Sequence, residues 1–356
     1  MLHSRRTILA AMAAAAGASV LPRQAHAEVI KLTMSSSHPT AVPWVGALSS
    51  HVVKETNSRL AAAGSAISVD WTESYGGALY KFDKTLEAVA DGLTDMGWVG
   101  TLWEESKMPL QNVTFHTPFV TDDLPLQLSV INKLHQELPA LSEAWQRQKQ
   151  IFLGASGIET FHMLTREPFE RYEQLNGMKM IAAGSVGNFL KGSGAVPVNS
   201  GLPDFYNNLS SGVADGVLIA FSGAVPFKLF EPAPYVTKVS IGSQMTGGLA
   251  VNRRSWRKLP EDVQGVLQTL GQEYSQVHAT QLMNAGQAFE AAMTAGGATI
   301  TTLDPAERQK WVDGLPDIAA EWRAVTENRG APAGEVLKAY MDAMKAAGVQ
   351  PARDWT

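Results

Sequence analysis

The chain has no cysteine in its 356 residues. That excludes disulfides, thiolate metal sites and a cysteine nucleophile. Several enzyme motifs are missing as well. Gly154-Ala155-Ser156-Gly157 comes close to a nucleophile elbow, but Ile158 stands where the last glycine belongs. Gly192-Ser193-Gly194 lacks the third glycine of a dinucleotide fingerprint, and no Walker phosphate loop occurs. The histidines follow neither H-x-x-x-H nor H-E-x-x-H spacing, so no catalytic zinc is expected. Acids are plentiful, but no pair converges by spacing alone. No catalytic residue, metal or cofactor is therefore expected. Only 18% of residues are charged, the net charge is −5, and no Lys/Arg cluster stands out. Nucleic acid is not an expected partner. Beyond Leu21 no apolar run is long enough to cross a bilayer.

What the chain does have is an ordinary globular composition, 45% hydrophobic, enough for one large or two medium domains. Its first residues read as an export signal. Ser4-Arg5-Arg6-Thr7-Ile8-Leu9 carries a twin arginine, an Ala-rich apolar run follows, and Ala25-His26-Ala27 is an A-x-A cleavage site. A general secretory signal with two arginines is the alternative. Either way residues 1–27 are expected to be removed, and the mature protein, starting at Glu28, is expected in the periplasm.

The mature chain opens as β-α-β-α-β. Strands are expected at Val29–Met34, Ala66–Trp71 and Thr94–Val99, with helices over Val42–Leu60 and Leu79–Ala90. Further on, Asn112–Val120 reads as extended, Leu126–Gln148 as one amphipathic helix, and Ile151–Ser156 as a strand crossing between lobes. Leu175–Val198 reads as strand–helix–strand, with small residues Ala182-Ala183-Gly184 at the helix start. Such a loop exposes backbone N–H groups to a polar ligand, or is a plain crossover with nothing bound. Strands are expected at Val217–Phe221, Tyr235–Ile241, Gly248–Val251 and Thr299–Leu303. Pro260 to about Thr294 reads as a helix of ~50 Å, with two or three helices after Asp304. One pattern recurs: LEAVADGLTDMGW (Leu86–Trp98) and FYNNLSSGVADGV (Phe205–Val217). Each has a helix, a glycine (Gly92, Gly212), two residues, and an aspartate (Asp95, Asp215) opening an apolar strand. Two related α/β lobes explain the recurrence, and so does chance.

Five stretches, in order, resemble the solute-binding subunits of tripartite ATP-independent periplasmic (TRAP) transporters. They are KLTMSSSHP, YGGALYKFDKTLEAVADGLTDMGWV, LTREPFERYEQLNGMKM, GAVPV followed by YNNLSSGVADGV, and VNRRSWRKLPEDVQGVL. The resemblance implies an α/β, two-lobed periplasmic-binding-protein-like fold with a ligand cleft between the lobes and a long bracing helix. Lobe I is expected over residues 28–151 with about 239–290. Lobe II is expected over 152–238 with about 291–356, including the C-terminal helices. The resemblance also implies a monomeric binding protein, not an enzyme, that hands a small organic solute to the small and large membrane subunits of a permease. A lyase or hydrolase on the same scaffold, and a ligand sensor, are the competing readings.

Most members of that family pair a ligand carboxylate with an arginine that ends a G-L-K-I-R stretch. Here Ile181 follows Gly177-Met178-Lys179-Met180. A second frequent arginine is replaced by Phe161-His162, and a frequent asparagine by Ile219. The implied cleft is drier and more aromatic, suited to an aromatic or amphipathic solute or to a small cation held by ring faces. Phe161, Ile181 and Trp98 are apolar where the family often puts polar groups, and Phe221 lies just past the strand beside them. Core residues beneath the sheet are the alternative for Trp98 and Phe221. His38 and His162 offer a hydrogen bond or a charge, or are surface histidines. Tyr80 offers a hydroxyl, or merely caps its lobe.

Overall fold

A computed structural model describes residues 28–356; the export signal lies outside the described residues. The strands are β1 (Glu28–Ser35), β2 (Ile67–Ser74), β3 (Met96–Val99), β4 (Gln150–Ile158), β5 (His162–Thr165), β6 (Lys179–Ile181), β7 (Val196–Val198), β8 (Gly216–Ile219), β9 (Tyr235–Lys238), β10 (Gln244–Asn252) and β11 (Thr299–Thr302). They form two sheets. One runs β2-β1-β3-β10-β4 and the other β11-β9-β5-β8-β6-β7. The strands β1, β2 and β3 are parallel, and β10 lies antiparallel between β3 and β4. In the other sheet β6, β7 and β8 are parallel, and β5 is antiparallel to β8.

The chain passes between the sheets twice in strand-to-strand steps: from β4 to β5 through residues 159–161, and from β9 to β10 through 239–243. The expected strand Ile151–Ser156 thus lies wholly within the first sheet, and the crossing follows it. The third link is the helix Glu261–Ala295, whose 35 residues reach about 52 Å at 1.5 Å per residue. It lies flat on β4 because both surfaces are bare there. A methyl on Gly154 would overlap the Gly271 carbonyl oxygen. Ser275 Oγ donates to the Ala155 carbonyl at 2.7 Å, and His278 Nε2 accepts from the Gly157 N–H at 3.2 Å. Near its far end Met293 is buried in the core of the second sheet. One stiff element therefore touches both lobes.

The recurring glycine–aspartate unit does the same job twice. Gly92 and Gly212 take φ of 79° and 72°, the left-handed region that lets a helix stop and turn into a sheet. Asp95 Oδ2 accepts from the Thr33 N–H of β1 at 2.9 Å, and Asp215 Oδ2 from the Lys179 N–H of β6 at 2.8 Å. The Asp95 carbonyl accepts from Asn252 N–H, and the Asp215 carbonyl from Arg166 N–H. Each aspartate knits its strand to a parallel neighbour on one side and an antiparallel one on the other.

Three segments differ from the sequence expectation. Residues Pro109–His116 wind as a 3-10 helix instead of extending, with every residue from Leu110 to His116 buried. Asn112 holds the turn by donating to the Thr101 and Met108 carbonyls. The expected helix Leu126–Gln148 is two helices, Leu124–Glu137 and Pro139–Arg147. Pro139 bars helical geometry at Leu138, whose ψ is 102°. Residues Gly184–Leu190 also form a 3-10 helix. Among the described residues no helix is long and apolar enough to cross a membrane.

Candidate functional site

The facing ends of the two sheets enclose a cavity. The first lobe contributes His38 from the loop after β1, Trp44 from the helix that begins at Pro43, Trp98 from β3, and Leu102 and Trp103 from the turn after it. Thr246 completes this wall. It sits at an irregularity of β10, between Met245 paired with Gly157 and Gly247 paired with Ser156. Thr246 therefore has no partner in the ladder, as expected for a bulge, which turns one extra side chain toward the site. The β4–β5 crossing supplies Ile158 and Phe161. From the second lobe come Ala183 and Val186 after β6, Leu218 and Ile219 of β8, and Leu202, Phe205 and Gly223.

Aromatic rings dominate the first wall. His38 lies 5.2 Å from Trp98 edge-on, 5.9 Å from Trp103 in parallel and 6.1 Å from Trp44, measured between ring centroids. Trp98 and Trp103 meet edge to face at 5.8 Å. The positions are fixed by polar contacts behind the rings. Trp98 Nε1 donates to Ser156 Oγ, the Gly76 N–H donates to the His38 carbonyl at 3.0 Å, and Ser37 Oγ contacts His38 Nδ1 at 3.0 Å. Burial pushes the His38 pKa down to about 4, so its ring is neutral at physiological pH. Among the described residues no lysine, arginine, aspartate or glutamate lines the cavity.

Of the residues expected at the site, His38, Trp98 and Phe161 line this cavity and four others do not. Tyr80 stands behind the wall. Its hydroxyl bonds Ser35 Oγ at 2.9 Å, beside Gly97, and burial raises its pKa to about 12. His162 is buried against Phe221, ring centroids 4.5 Å apart, and its Nδ1 accepts from Ser240 N–H. Burial first, then Lys238, lowers the His162 pKa to about 3. Phe221 and Ile181 belong to the core of the second lobe. Ile181 has no exposed surface and pairs with Val198 and Val217. Trp44, Trp103 and Phe205 were not singled out from sequence. Trp103 lies five residues after Trp98, and Phe205 stands at the head of the repeat.

The lobes touch along the rim. A methyl on Gly201 would overlap the Phe82 ring. One on Gly184, which has φ of 54°, would crowd the Leu102 carbonyl oxygen at 2.5 Å and the Trp103 ring at 3.1 Å. Phe82 and Trp103 pack edge to face at 5.1 Å. Polar contacts continue the seam. Ser185 Oγ lies 3.0 Å from Glu105 Oε2 and 3.2 Å from the Leu102 carbonyl, the two competing for its one proton, while Glu105 Oε1 meets His116 Nε2 at 2.9 Å. Lys191 pairs with Glu321 at 3.1 Å. Among the described residues no group of His, Asp and Glu could hold a metal ion.

Two α/β lobes, two crossing segments, a bracing helix and a small-molecule cavity between the lobes define a solute receptor of the binding-protein type. The chain belongs to the bacterial extracellular solute-binding protein family 7, matched over residues 48–324. Its fold is similar to that of a TRAP solute-binding protein of Rhodoferax ferrireducens T118 in complex with copurified benzoate. The TM-score is 0.78 at 17% identity, over 90% of this chain and 98% of that one. It is also similar to a marine-metagenome TRAP solute-binding protein specific for aromatic acid ligands, in complex with 3-hydroxybenzoate. There the TM-score is 0.76 at 18% identity, over 90% and 99%. An extracytoplasmic solute receptor of Bordetella pertussis that binds pyroglutamic acid gives 0.71 at 18%, over 88% and 99%.

Proposed function

We propose that this extracellular receptor captures an aromatic or amphipathic solute in the inter-lobe cavity and delivers it to the membrane subunits of a TRAP-type permease. One observation carries the reading: the cavity is walled by three tryptophans and Phe161, and none of its lining residues is charged. Burying an unpaired carboxylate costs several kcal/mol. Ile181, in the place the family often gives to arginine, is packed in the second lobe and supplies no counter-charge. His38 is neutral and offers one hydrogen bond, with Thr246 beside it. Binding then rests on ring contact and shape, not on an arginine–carboxylate pair.

Thermal-shift screening of the mature protein tests this. Aromatic, amphipathic and amine-bearing solutes are expected to stabilise it, by about 2.7 kcal/mol at a hundred times the dissociation constant. Aliphatic dicarboxylates are expected to leave the melting temperature unchanged. Tight binding of succinate contradicts the reading.

A further inference from the structure

Four non-glycine residues take positive φ among the described residues, and two of them meet at one place. Ser240, with φ of 49°, lies in the second crossing, residues 239–243, and Phe119, with φ of 62°, packs beside it. Left-handed backbone is costly for a residue with a Cβ and persists only where its surroundings over-determine it. Here they do. The Ser240 N–H donates to His162 Nδ1 at 3.4 Å, the Ile241 N–H to the Phe161 carbonyl at 3.3 Å, and the Gly242 N–H to Thr160 Oγ1 at 2.9 Å. The two crossings are thus bonded to each other, and one of the bonded residues, Phe161, lines the cavity. On the opposite side the Ile241 carbonyl accepts from the Phe119 N–H.

The Val239 and Ser240 carbonyls, just past the end of β9, both turn to one side chain. Arg308 Nε donates to the Val239 carbonyl at 3.1 Å and Nη2 to the Ser240 carbonyl at 2.8 Å. The same guanidinium lies over the Phe119 ring, 4.9 Å from its centroid. A planar fork of donors with a stacking face can make all three contacts at once, and a lysine cannot. Arg308 sits on the helix Pro305–Gly314, which is anchored in the second lobe by Trp311, whose Nε1 donates to the Phe189 carbonyl at 2.8 Å. Phe119 leads into the helix Leu124–Glu137 of the first lobe, where Asn132 accepts from the Ala155 N–H of β4 at 2.8 Å. One side chain therefore joins the second lobe, the crossing and the first lobe.

We propose that Arg308 is a positioning residue for solute capture: it holds the second crossing in its left-handed turn and so biases the unliganded receptor toward the form in which the lobes touch. Lobe rotation has to be absorbed by a few backbone torsions in the crossings, and Arg308 grips the one whose torsions are least favourable. Without the clamp, Ser240 relaxes out of the left-handed region and the lobes separate. Apparent affinity then falls by the share of the shut form that is lost. The inference goes beyond the reading of the cavity and holds for whichever solute it takes.

The test needs no solute. The chain has no cysteine, so Leu93→Cys and Val213→Cys, at exposed and equivalent places in the two repeats, accept one spin label in each lobe. Pulsed electron resonance on the unliganded mature protein then reads the distance between the lobes. Arg308→Met is expected to lengthen the mean distance by several ångströms. Glycine takes positive φ without strain, so adding Ser240→Gly to Arg308→Met is expected to bring back the parent distance. A merely structural contact would show instead as a lower melting temperature with the parent distance. Should Arg308→Met fold poorly, Arg308→Lys keeps the charge and the stem but loses the fork, and the same lengthening and the same rescue are expected of it. A parent-like distance in the Arg308 variant, whatever its melting temperature, overturns the proposal. A lengthening that Ser240→Gly leaves in place also overturns it, because Arg308 would then not act through the crossing.

Discussion

The solute site depends on a few aromatic residues whose roles differ although their types do not. Trp98 lines the cavity and is pinned by Ser156, and Phe161 lines it from the crossing. Truncating either ring removes a wall, so Trp98→Ala and Phe161→Ala are each expected to weaken solute binding more than ten-fold in calorimetric titration. Loss of less than two-fold in both would place the ligand elsewhere. Phe221, equally aromatic and also near a strand end, fills the second core, and its loss would be read in stability first. His38 makes a separate prediction. With its pKa near 4, its imidazole resonances in NMR are expected to stay constant from pH 8 to pH 5. A transition near pH 6.5 would mean a solvated ring. The sequence carried part of this. Trp98 was visible only through the resemblance, as an apolar residue where the family often has a polar one. Ile181 was misleading in its position. A residue that replaces a binding arginine need not stay at the wall, and an apolar side chain is drawn into the nearest core.

At the level of elements, the glycines decide what can approach what. Gly201 has no strained φ, and its one constraint is the Phe82 ring across the rim. Gly201→Ala is therefore expected to prop the lobes apart. Solute affinity falls, while the melting temperature of the unliganded protein changes by no more than a degree or two. Unchanged affinity would show that the rim contact has no part in capture. The helix Glu261–Ala295 and the glycine–aspartate turns were legible because each rests on a local rule: a proline and acids at a helix start, and a left-handed glycine at a helix stop. The 3-10 turns at 109–116 and 184–190 were not. Asn-Val-Thr-Phe has the composition of a strand, and the contacts that wind it come from Thr101 and Met108, which no local pattern reveals. The bulge at Thr246 was invisible for the same reason, since it exists only relative to β4 and β3.

At the scale of the molecule, burial keeps four histidines uncharged among the described residues. The pKa of His38, His135 and His278 is lowered to about 4 and that of His162 to about 3, in each case first by burial. In the unfolded chain these groups take up protons near pH 6.5, while the folded state does not. Stability is then fully present above pH 6.5. It falls as the pH drops from there toward 4, by as much as about 1.4 kcal/mol per pH unit for each histidine still unprotonated in the fold. Chemical denaturation at pH 7.5, 6 and 5 is expected to show a progressive loss. A flat profile would mean that these rings gain solvent or partners. The same architecture predicts closure. Solute contacts from both lobes favour the shut form, so small-angle scattering is expected to show a smaller radius of gyration on saturation. An unchanged radius would argue for a rigid receptor.

The central claim is that the cavity selects an apolar or aromatic solute without pairing a carboxylate. It is tested most directly by mass spectrometry of the small molecule released when the purified protein is denatured. The account predicts a compound with an aromatic or bulky apolar group. Release of an aliphatic dicarboxylate would contradict it.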